Sequence, residues 1–259
     1  MARATLWKVV WITGASSGIG WEMALQLARE GVTVAATGRS HDRLAALAAL
    51  HPNIRVYPAD VTDPAALAAT VEKIEAETGP IDLAILNAGV WMPMGVRKFS
   101  TKAIAGAMDV NFQGIVNALE PLLPLMMARR RGHVALVASL AGHRGLPQAI
   151  SYGPTKAAVI NLAECLQFEL PRHGVGVSIV NPGFVDTPMT KVNTFPMPFL
   201  VKPDDAAARI IRGLKRGQYH ITFPWPMAFL TKLGRVVHDR VFFFITRTFG
   251  VMPLGGDND

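Results

Sequence analysis

Thr13-Gly14-Ala15-Ser16-Ser17-Gly18-Ile19-Gly20 decides the fold, because it joins an apolar run starting at residue 8 to an amphipathic stretch, residues 21–30. Glycines at these positions permit a tight turn and let the backbone approach a pyrophosphate. The helix that follows presents its N-terminal amides and dipole to an anion. A lone motif of this kind could be a flexible Gly/Ser turn, but the order strand, turn, helix favours dinucleotide binding. No Gly-Lys-Ser/Thr follows, which excludes a P-loop.

Short apolar runs alternate with longer helical patterns along the whole chain. Strands covered on both faces are apolar throughout, and right-handed crossovers between them give a parallel sheet. We predict an α/β fold, a doubly wound (Rossmann) seven-stranded parallel sheet with helices on both faces. The predicted strands span residues 8–13, 32–37, 54–57, 81–86, 134–139, 175–180 and 219–223.

No linker divides the chain, so we treat residues 1–259 as a single Rossmann-fold domain. Within it, residues 186–205 are expected to form a substrate lid, because an apolar segment, 188–200, lies there. Residues 224–259 form an amphipathic, aromatic and basic C-terminal extension. Its apolar stripe can pack on the parent domain or on a second subunit, or lie in a membrane interface. We favour packing.

Composition limits the class of protein. The net charge is +7, but the basic residues are scattered and accompany no nucleic-acid-reading motif, so no nucleic-acid partner is expected. No run of 18 or more uncharged apolar residues predicts a membrane-spanning helix, and the start of the first strand near Lys8 leaves little room for a secretion signal, so secretion is not expected. The single cysteine, Cys165, is expected to be buried in a helix, which is consistent with the cytoplasm. The histidines show no metal-ligand spacing, so no metal is expected.

The second predicted strand ends in Ala36-Thr37-Gly38-Arg39-Ser40, where a carboxylate would normally bind an adenosine ribose. No carboxylate is present. Arg39 and Ser40 can instead bind a 2′-phosphate, and a charge-assisted contact of this kind contributes roughly 1.5–3 kcal/mol. We therefore expect NADP(H) as cofactor rather than NAD(H). A solvated Arg39 at the start of a helix is the alternative.

Four polar side chains, Asn111, Ser139, Tyr152 and Lys156, form the candidate catalytic set. Tyr152 and Lys156 lie four residues apart, so on one helix they share a face. A cation about 5 Å from a phenol contributes roughly 3 kcal/mol at an effective dielectric of about 20, which lowers the phenol pKa by about 2. Burial acts in the opposite direction. We predict Tyr152 as the acid–base catalyst and Ser139 as a hydrogen-bond donor to the substrate oxygen. Alone, the Tyr–Lys pair would more often lie on the surface.

These residues, with Asp60-Val61, Asn87-Ala88-Gly89 and Pro182 to Thr187, resemble the single-domain branch of the short-chain dehydrogenase/reductase family over residues 8 to about 223. Arg39 is similar to its NADP-preferring subgroup. The resemblance implies that Asn111 holds a water linking Lys156 to solvent and that Lys156 binds the nicotinamide ribose. The residues implied to bind the cofactor are Gly14, Ser16, Ser17, Gly18, Ile19, Gly20, Arg39, Ser40, Asp60, Val61, Asn87, Ala88, Gly89, Tyr152, Lys156, Pro182, Gly183, Val185 and Thr187.

The chain departs from the family pattern at two positions. Leu86 precedes Asn87 where the family often has a second asparagine, and Pro154 lies between Tyr152 and Lys156. Neither change removes a chemical group. We expect Pro154 in the first helical turn, where its missing N–H costs no hydrogen bond.

The expected function is hydride transfer between NADP(H) and a ketone or secondary alcohol. The substrate is expected to be apolar and to bind in an apolar pocket. Met92 and Met94 are expected to add walls to that pocket, with core packing as the alternative. The resemblance implies a homodimer or homotetramer through residues 101–130 and 152–172. The alternative function is a catalytically silent nucleotide-binding sensor or scaffold with the same fold.

Overall fold

The structure is a computed structural model that describes residues 6–249, in which seven strands alternate with nine α-helices. The strands are β1 (Val9–Thr13), β2 (Thr33–Thr37), β3 (Ile54–Val56), β4 (Leu83–Leu86), β5 (Gly132–Val137), β6 (Val175–Pro182) and β7 (His220–Phe223). The helices are α1 (Gly18–Arg29), α2 (His41–Ala48), α3 (Pro64–Thr78), α4 (Thr101–Met108), α5 (Gly114–Ala128), α6 (Gly153–Glu169), α7 (Pro203–Lys215), α8 (Trp225–Val236) and α9 (Asp239–Phe249). The last part of the expected extension, residues 250–259, lies outside the described residues.

All seven strands form one parallel sheet in the order β3-β2-β1-β4-β5-β6-β7, which confirms the predicted doubly wound fold. The strand order reverses between β1 and β4. In an open α/β sheet, ligands bind outside the carboxyl ends of the strands at this switch point. The glycine-rich turn after β1 lies there.

The central strand β1 is buried on both faces, as expected for an apolar strand in a parallel sheet. Val10 and Ile12 point into a core shared with α1 and α7. Val9 and Trp11 point into the opposite core, shared with α3, α5 and α6. The Trp11 indole N–H donates to Thr37 Oγ1 at 2.9 Å, which satisfies a fully buried polar group. The sheet is therefore a rigid platform between two helical layers.

Helix α6 begins at Gly153, with Tyr152 as its N-cap and Pro154 in the first turn. The proline therefore removes no interior hydrogen bond, as expected. The Lys156 N–H still bonds to Tyr152 O at 3.2 Å. The first turn of α6 thus remains regular between the two residues.

The expectation that Cys165 is buried is wrong, because Cys165 is exposed on α6. The helix packs on the sheet through Val159, Ile160 and Ala163. Cys165 lies roughly opposite these residues at about 100° per residue. The outward face of α6 also carries Phe168, which is exposed.

The C-terminal helices pack on the parent domain through one face each. Met227 of α8 lies against Gly183, where an added Cβ would be 3.2 Å from its sulfur. Arg144 forms an ion pair with Asp239 at the start of α9, and its guanidinium lies 4.4 Å from the centroid of the Phe242 ring. Through these contacts the inner faces of α8 and α9 pack on the parent domain. Within residues 6–249, no helix has both the length and the hydropathy needed to cross a membrane.

Candidate active site

The glycine-rich turn leaves β1 through left-handed backbone at Gly14 (φ +68°) and Gly18 (φ +57°). It is closed so tightly that a Cβ at Gly20 would lie 2.4 Å from Gly14 O. Ser17 is the N-cap of α1 but makes no side-chain capping hydrogen bond. The first amides of α1 therefore lack a side-chain partner at a position that suits a phosphate.

Asn87 joins the carboxyl ends of β1 and β4. Its Nδ2 donates to Thr13 O at 3.2 Å and to Gly14 O at 3.3 Å. In return, Thr13 Oγ1 accepts from the backbone N–H groups of Asn87 (3.0 Å) and Ala88 (3.1 Å). The preceding Leu86 is buried in β4, so the departure from paired asparagines removes none of these bonds.

A cleft crosses the carboxyl ends of β1, β2 and β4. It contains thirteen of the residues expected to bind cofactor: Gly14, Ser16, Ser17, Gly18, Ile19, Arg39, Ser40, Asp60, Val61, Asn87, Ala88, Gly89 and Thr187. The expected residues outside its lining are Gly20, Tyr152, Lys156, Pro182, Gly183 and Val185. Sequence reasoning missed Gly38, Arg43, Ala59, Val90, Val110, Pro188 and Met189. The tight backbone and the free amides of this cleft fit a dinucleotide.

Two arginines border the end of the cleft near β2. Arg39 is exposed there, and Arg43, one helical turn further on, lines the same space. Ser40 caps α2 by accepting the Arg43 N–H at 3.5 Å, so its own O–H proton remains available as a donor. The position of Arg43 in the first turn of the helix that follows Arg39 and Ser40 is the signal that could have found it.

Tyr152, Lys156 and Ser139 are brought together by α6 and the loop after β5. Lys156 Nζ lies 5.6 Å from the centroid of the Tyr152 ring and donates to Val137 O at 2.9 Å. Ser139 Oγ accepts from the Ala141 N–H at 3.1 Å. The Ser139 side chain is also close enough to Tyr152 to lower the pKa of the phenol, so the two hydroxyls are neighbours.

The acidity of Tyr152 differs from the sequence-based expectation. Burial raises the pKa of Tyr152 to about 12, and the hydrogen bond from Ser139 opposes this increase only in part. Burial also lowers the pKa of Lys156 to about 8. Burial, the opposing effect expected from the sequence, is therefore the dominant influence on both pKa values, because both charged forms lose hydration.

Asn111 is buried in a single π-helical turn, Asp109–Gln113, between α4 and α5. Its Oδ1 accepts from the Val90 N–H at 2.7 Å, and its Nδ2 donates to Val90 O and Thr155 Oγ1, both at 3.0 Å. A Cβ at Gly89 would lie 3.2 Å from Asn111 Oδ1 and 3.5 Å from Lys156 Nζ. Glycine at position 89 therefore keeps open the space between these two polar groups.

A second, mostly apolar pocket lies over Ser139 and Tyr152. Trp91 forms one wall: its ring contacts Tyr152 edge-on at 5.0 Å, and its indole N–H donates to Asn193 Oδ1 at 2.8 Å. The full lining is Trp91, Ser139, Leu140, Ala141, Leu146, Ala149, Tyr152, Gly183, Phe184, Met189, Thr190, Asn193, Met227 and Thr231.

The predicted methionine walls of this pocket are wrong. Met94 is buried and is not among the residues that line the pocket, although its backbone pairs with Ala149 and its N–H bonds to Gln148 O at 2.8 Å. Met92 is exposed and also lies outside the lining. Trp91, Met189 and Met227 take their place.

A family model described as short chain dehydrogenase matches residues 8–195. The chain belongs to this family. A Myxococcus xanthus protein named as an uncharacterized oxidoreductase is 38% identical over 240 residues, covering 91% of this chain and 95% of the relative. A 3-oxoacyl-[acyl-carrier-protein] reductase of Thermotoga maritima is 31% identical over 218 residues, covering 79% and 89% respectively.

A solved structure supports the assignment of this chain to the short-chain dehydrogenase family. A short-chain dehydrogenase from Streptomyces avermitilis superposes with a TM-score of 0.80 at 25% identity, covering 93% of this chain and 96% of the other. The protein is therefore an oxidoreductase that acts on CH–OH or C=O groups, in a family that binds NAD(P).

Proposed function

We propose that this short-chain dehydrogenase transfers a hydride between NADP(H) and a ketone or secondary alcohol on an apolar substrate. The observation that carries the proposal is the position of the Ser139 and Tyr152 hydroxyls, which face an apolar pocket beside the nucleotide cleft. Met189 lines both spaces, so the pocket and the cleft adjoin. A silent scaffold would have no need of two polar hydroxyls in such a pocket.

The nicotinamide group, when bound, supplies the hydride for reduction of the carbonyl carbon and takes it back in alcohol oxidation. In the reductive direction Tyr152, protonated because burial raises its pKa to about 12, donates its proton to the carbonyl oxygen. Ser139 donates a hydrogen bond to the same oxygen as negative charge develops there. The product is a secondary alcohol, and Tyr152 must then be reprotonated.

Lys156 is suited to that reprotonation, because burial lowers its pKa to about 8 and the ammonium can lose a proton near neutral pH. We assign Asn111 the role of holding a water between Lys156 and solvent, since both groups border the space at Gly89. Lys156 would also bind the ribose hydroxyls of the nicotinamide half. The other cofactor contacts are those that the sequence motifs imply: the glycine-rich turn, Asp60-Val61, Asn87-Ala88-Gly89 and Pro182 to Thr187.

The preference for NADP(H) is supported by Arg39, Arg43 and Ser40 at one end of the cleft. A charge-assisted contact of roughly 1.5–3 kcal/mol corresponds to a preference for NADPH of about 10- to 150-fold in kcat/KM. The test follows cofactor absorbance with a panel of apolar ketones and secondary alcohols, using NADPH and NADH in parallel. Arg39→Ala should reduce the preference, whereas Arg209→Ala on α7 should not. Equal or greater efficiency with NADH would contradict the NADP assignment.

We propose residues 186–205 as the substrate lid of a single domain spanning 1–259. The two ends of this segment are joined, because Asp186 N–H bonds to Val201 O at 2.9 Å and Val201 N–H bonds to Phe184 O at 3.0 Å. Between them, Met189 and Asn193 reach the pocket. Substitutions that remove the contacts of residues 186–205 with the pocket should change the preference among substrates more than the preference between NADPH and NADH.

We also propose a homodimer or homotetramer built on α4, α5 and α6. Phe168 is 77% exposed on the outer face of α6, and Leu125 on α5 is also exposed. An exposed aromatic side chain at this position suits a subunit contact. Sedimentation of the wild type against Phe168→Glu would test it: a lower assembly state is expected for the variant. Peripheral membrane contact through residues 224–249 remains compatible with this assembly.

A further inference from the structure

The outer face of α8 carries large apolar side chains that nothing in residues 6–249 covers. Trp225, Phe229, Leu233 and Val236 follow at intervals of four, four and three residues, so they share one face. All four are exposed, Trp225 by 74% and Val236 by 81%. The Trp225 and Phe229 rings stack at 6.0 Å, so they form a continuous aromatic surface.

The outer face of α9 is built in the same way. Val241, Phe244 and Ile245 lie on one side of this helix and are all exposed. An added Cβ at Gly234 of α8 would lie 3.4 Å from the Phe242 ring of α9, so the two helices are in contact. We call the outer faces of α8 and α9 together the C-terminal apolar surface, comprising Trp225, Phe229, Leu233, Val236, Val241, Phe244 and Ile245.

The exposure of this surface does not arise from helices detached from the domain. Ala228 on the inner face of α8 is buried, and Phe242 of α9 is held beneath the Arg144 guanidinium. Both helices are therefore docked with one apolar face inward and a second apolar face outward. Contiguous apolar patches of this kind on a folded protein mark an interaction surface.

Charge decides between the two main occupants, a second copy and a lipid surface. Residues 225–249 contain four Lys and Arg, at positions 232, 235, 240 and 247, and one acidic residue, Asp239. Asp239 is already paired with Arg144. Two copies meeting through this region would bring like charge together, which disfavours a self-contact. An anionic bilayer attracts each such cation by about 1 kcal/mol near its surface and also covers the aromatic side chains.

The same helix contributes to the substrate pocket. Met227 and Thr231 on the inner side of α8 line that pocket, while Phe229 lies on the outer side. None of the described residues that line the pocket is charged. A pocket of this composition suits an uncharged apolar molecule, which would itself partition into lipid.

We propose that the C-terminal apolar surface binds an anionic lipid bilayer, with α8 and α9 lying in the plane of its interface. We further assign the substrate to the class of uncharged apolar ketones or alcohols dissolved in that bilayer, an assignment that rests on the proposed function. The enzyme would then take its substrate from the membrane beside α8.

The test is flotation of the full chain with two kinds of vesicle, phosphatidylcholine alone and phosphatidylcholine with phosphatidylglycerol. The wild type is expected to float with the anionic vesicles, less with the neutral ones, and less in high salt. Phe229→Glu and Phe244→Glu should each weaken binding about tenfold or more, because burial of one Phe side chain contributes roughly 1.5–3 kcal/mol. The matched control is Phe99→Glu, since Phe99 is 58% exposed and Phe229 is 56% exposed. This control should float like the wild type.

Three results would overturn the inference: no flotation of the wild type, equal losses in all three variants, or a dimer in sedimentation that Phe229→Glu dissociates without any lipid binding. Circular dichroism and the melting temperature establish that each variant is folded. Turnover of a water-soluble ketone with NADPH is measured in the same preparations. If the water-soluble ketone is not turned over, the proposed reaction is contradicted, and flotation still tests the membrane contact. If both hold, a ketone supplied in anionic vesicles should show a lower KM for the wild type than for Phe229→Glu.

Discussion

The nucleotide cleft and the substrate pocket adjoin, but they are built from different parts of the chain. The cleft is formed largely by backbone at the ends of consecutive strands, where Gly14, Gly18 and Gly20 leave no room for side chains. The pocket is formed by side chains from distant segments, among them Trp91, Met189 and Met227. A cleft formed by closely packed backbone tolerates few substitutions. In a pocket formed by side chains, single substitutions can change which substrate binds.

Tyr152 stands where the two regions meet, and its removal should have the largest effect. Tyr152→Phe keeps the ring against Trp91 but removes the proposed proton donor, so kcat should fall by about 10²- to 10⁴-fold while NADPH affinity changes little. Steady-state rates and fluorescence titration with NADPH measure the two quantities. Tyr219→Phe is the control, since the Tyr219 hydroxyl has no hydrogen-bond partner among residues 6–249. A Tyr152→Phe enzyme with unchanged rates would remove the proposed catalyst.

Gly20→Ala tests the rigidity of the cleft. The new Cβ would lie 2.4 Å from Gly14 O, a backbone atom that cannot move without opening the turn. We expect a loss of roughly 1–3 kcal/mol in the free energy of unfolding and a matching loss of NADPH affinity. Thermal unfolding and cofactor titration measure these changes. Gly106→Ala in α4 is the control, because among residues 6–249 nothing outside the backbone of its own helix lies within 4 Å of the added Cβ. Equal free energies of unfolding and equal NADPH affinities for the two variants would show that the turn is not tightly closed.

The Tyr152–Lys156 pair predicts an unusual dependence of stability on pH. Burial lowers the pKa of Lys156 from 10.5 to about 8, so between these values the unfolded chain binds more protons and stability rises with pH. Burial raises the pKa of Tyr152 from 10.0 to about 12, so between these values the folded chain binds more protons and stability falls. Each slope is at most about 1.4 kcal/mol per pH unit.

Denaturant titrations across this pH range would separate the two residues. Lys156→Met should flatten the rise above pH 8 relative to the wild type. Tyr152→Phe should reduce the fall above pH 10 without changing the rise. If neither substitution alters the profile, the two groups are not desolvated as the structure indicates.

Trp91→Phe tests the pocket and should have the smallest effect. It keeps a ring beside Tyr152 but removes the indole N–H that donates to Asn193 on the proposed lid at 2.8 Å. The loss of one hydrogen bond, about 0.5–1.5 kcal/mol, should raise the substrate KM about 2- to 10-fold and leave kcat and the NADPH affinity nearly unchanged. Asn193→Ala and the double variant complete a cycle. Additive effects of the two substitutions would show that this contact does not hold the lid.

The cleft was more predictable than the pocket, for physical reasons. Its residues follow strand ends that the apolar pattern locates, and glycine at Gly14 and Gly18 reports directly on backbone conformation. Arg43 was missed, although it lies in the first turn of α2, which begins just after Arg39 and Ser40. Trp91 and Met227 carry no local signal, because only the packing of the loop after β4 and of α8 brings them to Tyr152.

The order of apolar runs, turns and helices determined the doubly wound sheet, because strand and helix periods are local properties of a sequence. The spacing of Tyr152 and Lys156 likewise determined that they share a helical face. Only the tertiary structure decided their pKa values, since burial depends on everything packed around them. It also decided that Cys165 faces outward and Met94 inward, because the side of an element that meets the core is chosen by its neighbours in space.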